Sequence, residues 1–324
     1  MFRTPVTVNP SPHKIQLGSK VLSIGSCFAQ AIGRRLAENK FQAYTNPFGT
    51  LFNPASIFNL LSLSLNNQLP EENSYLKRDH MHYNYLLHSD FASQNKEMLE
   101  DQIGNALSQT HDFIKGADWL IITLGTAFYY QKKDTGDIVA NCHKMPSDFF
   151  EKKIFQSAEV KKHFTHFYQA FQTLNPKAQI IFTVSPVRHI RDTLIQNTVS
   201  KATLRLAVEE IIQHYPENTT YFPSYEFMMD DLRDYRFYKA DMIHPTEVAE
   251  DYIWEQWVKT YLHVEAREFL KEWEKIKRAL AHRSFQPASE RHQQFILKTI
   301  EQLNLLSKQV DVSNEVQALK SQLL

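Results

Sequence analysis

The stretch VLSIGSCFAQ, Val21 to Gln30, decides how the chain is read. It is apolar from Lys20 to Ile24, stops at Gly25, presents Ser26 and Cys27, and continues with the spacing of an amphipathic helix. A strand over 20–24 running into a helix over 28–39 is the expected local structure. A second segment, YKADMIHPTE from Tyr238 to Glu247, sets Asp241 one turn ahead of His244, and Pro245 suits the first position of a new helix. A nucleophile on a strand-to-helix turn, together with a histidine steadied by an acid, is the general arrangement for covalent acyl transfer.

Working outward, the same alternation repeats. Further strands are expected over 41–45, 118–124, 178–184 and 220–223, and helices over 54–64, 94–114, 147–173 and 198–214, with a last one from Pro245 to about Leu262. Five apolar strands separated by helices predict an α/β fold with a parallel sheet covered on both faces. Ligands bind such sheets at the carboxyl ends of the strands. Gly25, Gly49, Gly125 and the segment SPVRH (Ser185 to His189) all fall there. Glycine is scarce, 8 in 324 residues, so these positions are read as meeting a backbone need. Residues 128–142, FYYQKKDTGDIVANC, alternate around Asp134 to Asp137 and predict an inserted hairpin that roofs the site. The section before residue 94 is read as irregular. Beyond Leu262, Ala266, Phe269, Leu270, Trp273, Ile276 and Leu280 recur at helical spacing, and Phe295, Ile296, Ile300 and Leu303 mark another helix. The division expected is residues 1–262 as the α/β domain and 263–324 as a helical extension. The extension either packs back on the domain or forms a homodimer through its helices, and both readings stay open.

Composition narrows the partner. The chain has 36 basic and 36 acidic residues, a formal net charge of zero, and hence no broad footprint for nucleic acid or an anionic membrane. No apolar run approaches the ~20 residues of a membrane helix, and the first twenty residues lack the apolar core of a signal peptide. A cytoplasmic location and a small-molecule partner are expected. The two cysteines, Cys27 and Cys142, fit a reducing compartment, and neither has paired-cysteine zinc spacing. Cys142, His143 and His189, or His80 and His82, are the nearest approach to a metal set, and their spacings match no familiar site. No metal and no cofactor are expected.

IGSCFA, NPFG, LGTAF, NCHK, SPVRH and DMIHP, in that chain order, closely resemble the GSCFA family, which in turn resembles the SGNH, or GDSL-like, esterases and acyltransferases. The resemblance implies a flavodoxin-like three-layer α/β/α fold. It lays Gly25, Ser26 and Cys27 over the superfamily's Gly-Asp-Ser, which makes Cys27 the nucleophile, with Ser26 as the rival if the turn is shifted by one residue. Asp241 and His244 match the Asp-x-x-His block unchanged. The Cys27 amide and Gly49 are implied oxyanion donors. The third block, Gly-x-Asn-Asp in the superfamily, stands here as Gly125-Thr-Ala-Phe128 and lacks its asparagine; Asn141 is the candidate replacement. His143, Arg188 and His189 are candidate substrate contacts, Arg188 for a carboxylate or phosphate unless Glu226 takes it as an ion pair. The function implied is an esterase or acyltransferase working through an acyl-enzyme, with a carbohydrate O-acetyl group as one plausible substrate. The alternative is a non-catalytic binder of a small anion through Arg188, His143 and His189.

Overall fold

The computed structural model describes residues 4–324. Its centre is a five-stranded, all-parallel sheet formed by β1 (Lys20–Gly25), β2 (Gln42–Thr45), β3 (Trp119–Leu124), β4 (Gln179–Val184) and β5 (Thr219–Tyr221). The spatial order is β5-β4-β3-β1-β2, the flavodoxin-like order with its switch point between β1 and β3. The long helices are α1 (Cys27–Glu38), α2 (Pro54–Leu65), α3 (Lys96–Lys115), α4 (Ser157–Leu174), α5 (Thr193–His214) and α6 (Glu247–Tyr261).

The three central strands read as unbroken apolar runs because each face meets its own core. Leu22 and Ile24, Leu120 and Ile122, and Ile180 and Phe182 pack against α2 to α5. Their alternates Val21, Trp119, Ile121 and Ile181 pack against α1 and α6. A side-chain period of two therefore places apolar residues at both parities.

Several expected elements shift. Residues 147–156 are not α-helical: Ser147–Phe149 is a single 3-10 turn and Phe150–Ile154 is a strand paired antiparallel with Phe128–Lys132, so the expected hairpin is a three-stranded sheet with Ile138–Val139 on its other side. The section read as irregular holds a second small sheet of Tyr75–Arg78, Met81–Asn84 and Ala92–Ser93. The fifth helix begins at Thr193, not 198. The sixth begins at Glu247 and not at Pro245, capped by Thr246, whose hydroxyl accepts the Ala249 amide. His80 and His82 share no strand face, because Asp79 and His80 form the turn between two strands, both at positive φ.

The carboxyl-terminal residues form α7 (Val264–Ala281), α8 (Glu290–Leu306) and α9 (Ser313–Lys320) around a core of their own that includes Phe269, Trp273, Ile300 and Leu303. They pack back on the α/β domain. Trp273 donates its indole N–H to Glu38 O at 2.8 Å, and Lys40 lies over the Trp273 ring while pairing with Glu315 at 2.6 Å. Among the described residues, no helix is long and apolar enough to cross a membrane.

Gly25 and Gly18 offer a contrast that tests the packing. A Cβ at Gly25 would sit 2.1 Å from Thr123 O, at a φ of +133°, whereas nothing lies within 4 Å of one at Gly18. Gly25→Ala is expected to cost about 3 kcal/mol or more by strain and overpacking. Gly18→Ala is expected to stay within about 0.5 kcal/mol of the parent. Urea unfolding midpoints of the two variants check this, and similar midpoints would contradict the close approach.

Candidate active site

The Gly25 turn is fastened on both sides. Ser26 N–H donates to Thr123 O at 3.1 Å, Leu51 N–H donates to Gly25 O at 2.9 Å, and Gly25 N–H donates to the Asn46 side-chain oxygen at 2.9 Å. Asn46 has a φ of +43°, which asparagine tolerates better than most residues, and its own N–H reaches Ser23 O at 2.8 Å. It is a positioning residue that sequence reasoning missed, although it opens the quoted NPFG.

Ser26 is 2% exposed, and its hydroxyl accepts the Phe28 amide at 3.3 Å as the cap of α1. Cys27, the first helical residue, is half-buried. Burial pushes its thiol up, and its own amide N–H only partly offsets this. Desolvation outweighs the amide contribution, so at rest the group is a neutral thiol.

Asp241 and His244 form a tight pair, with Asp241 Oδ2 and His244 Nδ1 2.7 Å apart. The other carboxylate oxygen accepts the amides of Ile243 at 2.9 Å and His244 at 3.0 Å. Those bonds, with the one from the ring, hold the Asp241 carboxyl well below the usual carboxylate range. Because an ionised carboxylate only accepts, Nδ1 carries the proton and Nε2 presents its lone pair. The loop is pinned by Lys239 N–H to His244 O and Thr246 N–H to Phe237 O, both at 2.8 Å. His244 is 40% exposed at its side chain, and among the described residues no hydrogen bond joins it to Cys27 or Ser26.

The amide donors differ from expectation. Gly49 N–H is spent on Asn46 O at 2.9 Å, so in this conformation it is not free for an oxyanion; its φ of +75° and its packing against His88 account for the glycine. Among the described residues the next amide, Thr50, has no hydrogen-bond acceptor. Gly125 N–H and Thr126 N–H both go to Phe52 O, at 2.9 and 3.0 Å, which ties the end of β3 to the loop after β2. Asn141 donates to Ser89 Oγ at 2.8 Å and accepts the His143 amide, so its side chain is engaged on the roof. Thr50, Phe52, His88, Asn141, Cys142 and Arg191 are among the residues lining a 440 Å³ cavity beneath that roof. Burial pushes the Cys142 thiol up to about 11.

The remaining candidates separate clearly. His143 is buried, stacked on Tyr83, and bonded through Nε2 to Asn84 O at 2.8 Å; burial lowers its pKa, and it serves as a core residue of the small sheet. Burial, with Lys201 nearby, lowers His189 to about 4, and its ring lies edge-on to Phe52. Neither is a cation at neutral pH, so neither brings a positive charge toward an anion. Arg188 lies in the loop after β4, where its amide reaches Ile243 O at 3.5 Å. Among the described residues, no group of three or more His, Cys, Asp or Glu side chains is placed to hold a metal ion.

Sequence reasoning also missed Lys201. It is buried inside α5 and donates to Gly125 O at 2.7 Å and Ser185 O at 2.8 Å, joining the ends of β3 and β4. A lone lysine on an amphipathic helix carries no mark of this in the sequence.

The sequence model of the GSCFA family matches residues 20–257, and that of the GSCFA domain protein, C-terminal domain, matches residues 273–324. No curated protein matches the chain. A solved structure of an acetyl xylan esterase (Est2A) from the rumen bacterium Butyrivibrio proteoclasticus is similar at 13% identity and a TM-score of 0.35, over 84% of this chain and 65% of that one. The chain thus spans just under two thirds of that structure's length.

Two titrations follow from the site. Burial takes Lys201 from 10.5 down to about 7, so between those values the unfolded chain holds a proton that the folded chain has released. Stability then rises with pH across that window, and the cost of the buried charge is fully present below it. Lys201→Met is expected to abolish this rise in urea midpoints between pH 7 and 9; parallel curves for parent and variant would refute it. For Cys27, iodoacetamide labelling in a Cys142→Ala background is expected to show a half-point above the free-thiol value of ~8.5, and a half-point below it would contradict the dominance of burial.

Proposed function

We propose that this chain, which belongs to the GSCFA family, hydrolyses or transfers an acyl group through a covalent intermediate on Cys27. The observation that carries the reading is the Asp241–His244 pair, whose acid is kept ionised by two backbone amides and whose ring is left with Nε2 free. A protein that only bound a ligand would have no need of a histidine so oriented. Cys27 is favoured over Ser26 because the serine hydroxyl is buried as a helix cap.

In the first half-reaction His244 Nε2 takes the Cys27 proton as Sγ bonds to the acyl carbon. A neutral resting thiol suits this general-base route, since the proton leaves only as the bond forms. The tetrahedral oxyanion is received by the Cys27 N–H, with the Thr50 N–H as second donor in place of Gly49; one such donor is worth ~2.7–4 kcal/mol. The carbon–oxygen bond to the leaving group breaks and the alkoxide takes the proton from His244. Water, or an acceptor hydroxyl, then attacks the thioester while His244 takes its proton. The carbon–sulfur bond breaks, and His244 returns that proton to the thiolate. Removal of an O-acetyl group from a carbohydrate, or its transfer to one, is the substrate class we favour within this chemistry.

Intact-mass and peptide-mapping mass spectrometry after brief exposure to activated acetyl esters and acetyl-coenzyme A tests the reading. An acetyl group on Cys27 is expected, persisting in Ser26→Ala, absent in Cys27→Ala, and formed ~10²–10⁴-fold more slowly in His244→Ala. An adduct on Ser26 would move the nucleophile. No adduct from any donor would favour the non-catalytic binder.

A further inference from the structure

Among the described residues the Arg188 guanidinium has no acidic partner, and the acids that could serve as one are occupied. Glu226, the expected one, accepts from Tyr221 OH at 2.7 Å and lies 3.5 Å from Arg205. Asp192 pairs with Lys152, Asp230 with Arg233, and Asp241 with His244. The Arg188 side chain is held by aromatic rings, its guanidinium carbon 3.8 Å from the Tyr238 ring centre and 5.6 Å from that of Tyr235. Stacking fixes a guanidinium in place without using any of its N–H donors. Nε and Nη2 are buried and, among the described residues, make no hydrogen bond.

A buried charged donor left unbonded costs stability, so it is retained where its donors have a use. The location supplies one. Tyr238 bridges Pro245, and the Arg188 amide reaches Ile243 O, so the chain segments on either side of His244 carry or touch this arginine. Tyr235, the farther ring, is 65% exposed, so this side of the guanidinium faces the surface.

We propose that Arg188, braced by Tyr238 and Tyr235, recognises an anionic oxygen group on the substrate, a carboxylate or a phosphate. The inference rests on the acyl-transfer reading for its catalytic meaning, and it specifies an acidic substrate in place of a neutral one. The planar fork of N–H groups matches two oxygens of either anion. Arg191 and Lys144, which have no acidic partner among the described residues, line the cavity under residues 140–145 and act in the same sense, because positive charge there attracts an acidic molecule in an otherwise neutral protein.

The test is calorimetric titration of the full chain with D-glucuronate, D-glucose 6-phosphate and neutral D-glucose, repeated on Arg188→Gln and Arg188→Lys. The expected result is at least tenfold tighter binding of one anionic sugar than of glucose, with the carboxylate and phosphate arms telling which anion is preferred. That margin should vanish in Arg188→Gln and be partly kept in Arg188→Lys, with unchanged circular dichroism. Equal affinity for charged and neutral sugars, no binding of any, or a margin that survives Arg188→Gln would each overturn the proposal. Acetylation of Cys27 by small neutral donors is read separately. An adduct without an Arg188-dependent margin removes the subsite alone; a margin without an adduct removes the acyl chemistry and leaves an anion site.

Discussion

The carboxyl end of the sheet depends on how closely the backbone of Gly25 approaches the carbonyl of Thr123. That approach has no room for a Cβ, and it lets Ser26 N–H extend the β1–β3 ladder by one bond before the chain turns into α1. Asn46 then seals the other side of the turn by accepting the Gly25 amide. Cys27 is placed by backbone and buried amide contacts on both flanks, so its position is determined by rigid elements and not by a mobile loop.

Around that fixed point the electrostatics are divided. Burial raises the Cys27 thiol, while three hydrogen bonds depress the Asp241 carboxyl. The Cys27 thiol is thus protonated at rest and the Asp241 carboxyl ionised, and that carboxylate fixes which nitrogen of the His244 ring carries the proton. Pairs of groups driven apart in this way are a mark of acid–base work, because each starts in the state that its role requires.

Much of the fold was legible because the central strands are buried on both faces, which writes itself as runs such as DWLIITL. The Asp241–His244 pair was legible because three residues of spacing are enough to bring the groups together. What escaped is non-local. Phe149, Phe150 and Ile154 read equally as a helix stripe, and only pairing with residues 128–132 makes 150–154 a strand. Gly49 looked like a donor, yet the turn that brings it close also directs its amide to Asn46 O. His143 and His189 stand in polar motifs, but the packing of Tyr83 and Phe52 against them makes them neutral parts of the scaffold.

Two basic side chains with no carboxylate partner among the described residues, Lys201 and Arg188, meet burial in different ways. Lys201 is sealed in α5, yet two carbonyls, Gly125 O and Ser185 O, accept from it. Loss of its proton relieves the burial cost while leaving N–H donors for both, so a lysine with a depressed pKa is compatible with a purely internal role. Arginine has no such escape, because guanidinium stays charged at any pH a protein survives. Arg188 therefore carries an obligatory charge, stacked on rings that satisfy none of its N–H groups, on the segment that touches the His244 loop. Of the two, only Arg188 has donors still to be met, and the physical remedy for them is an anion.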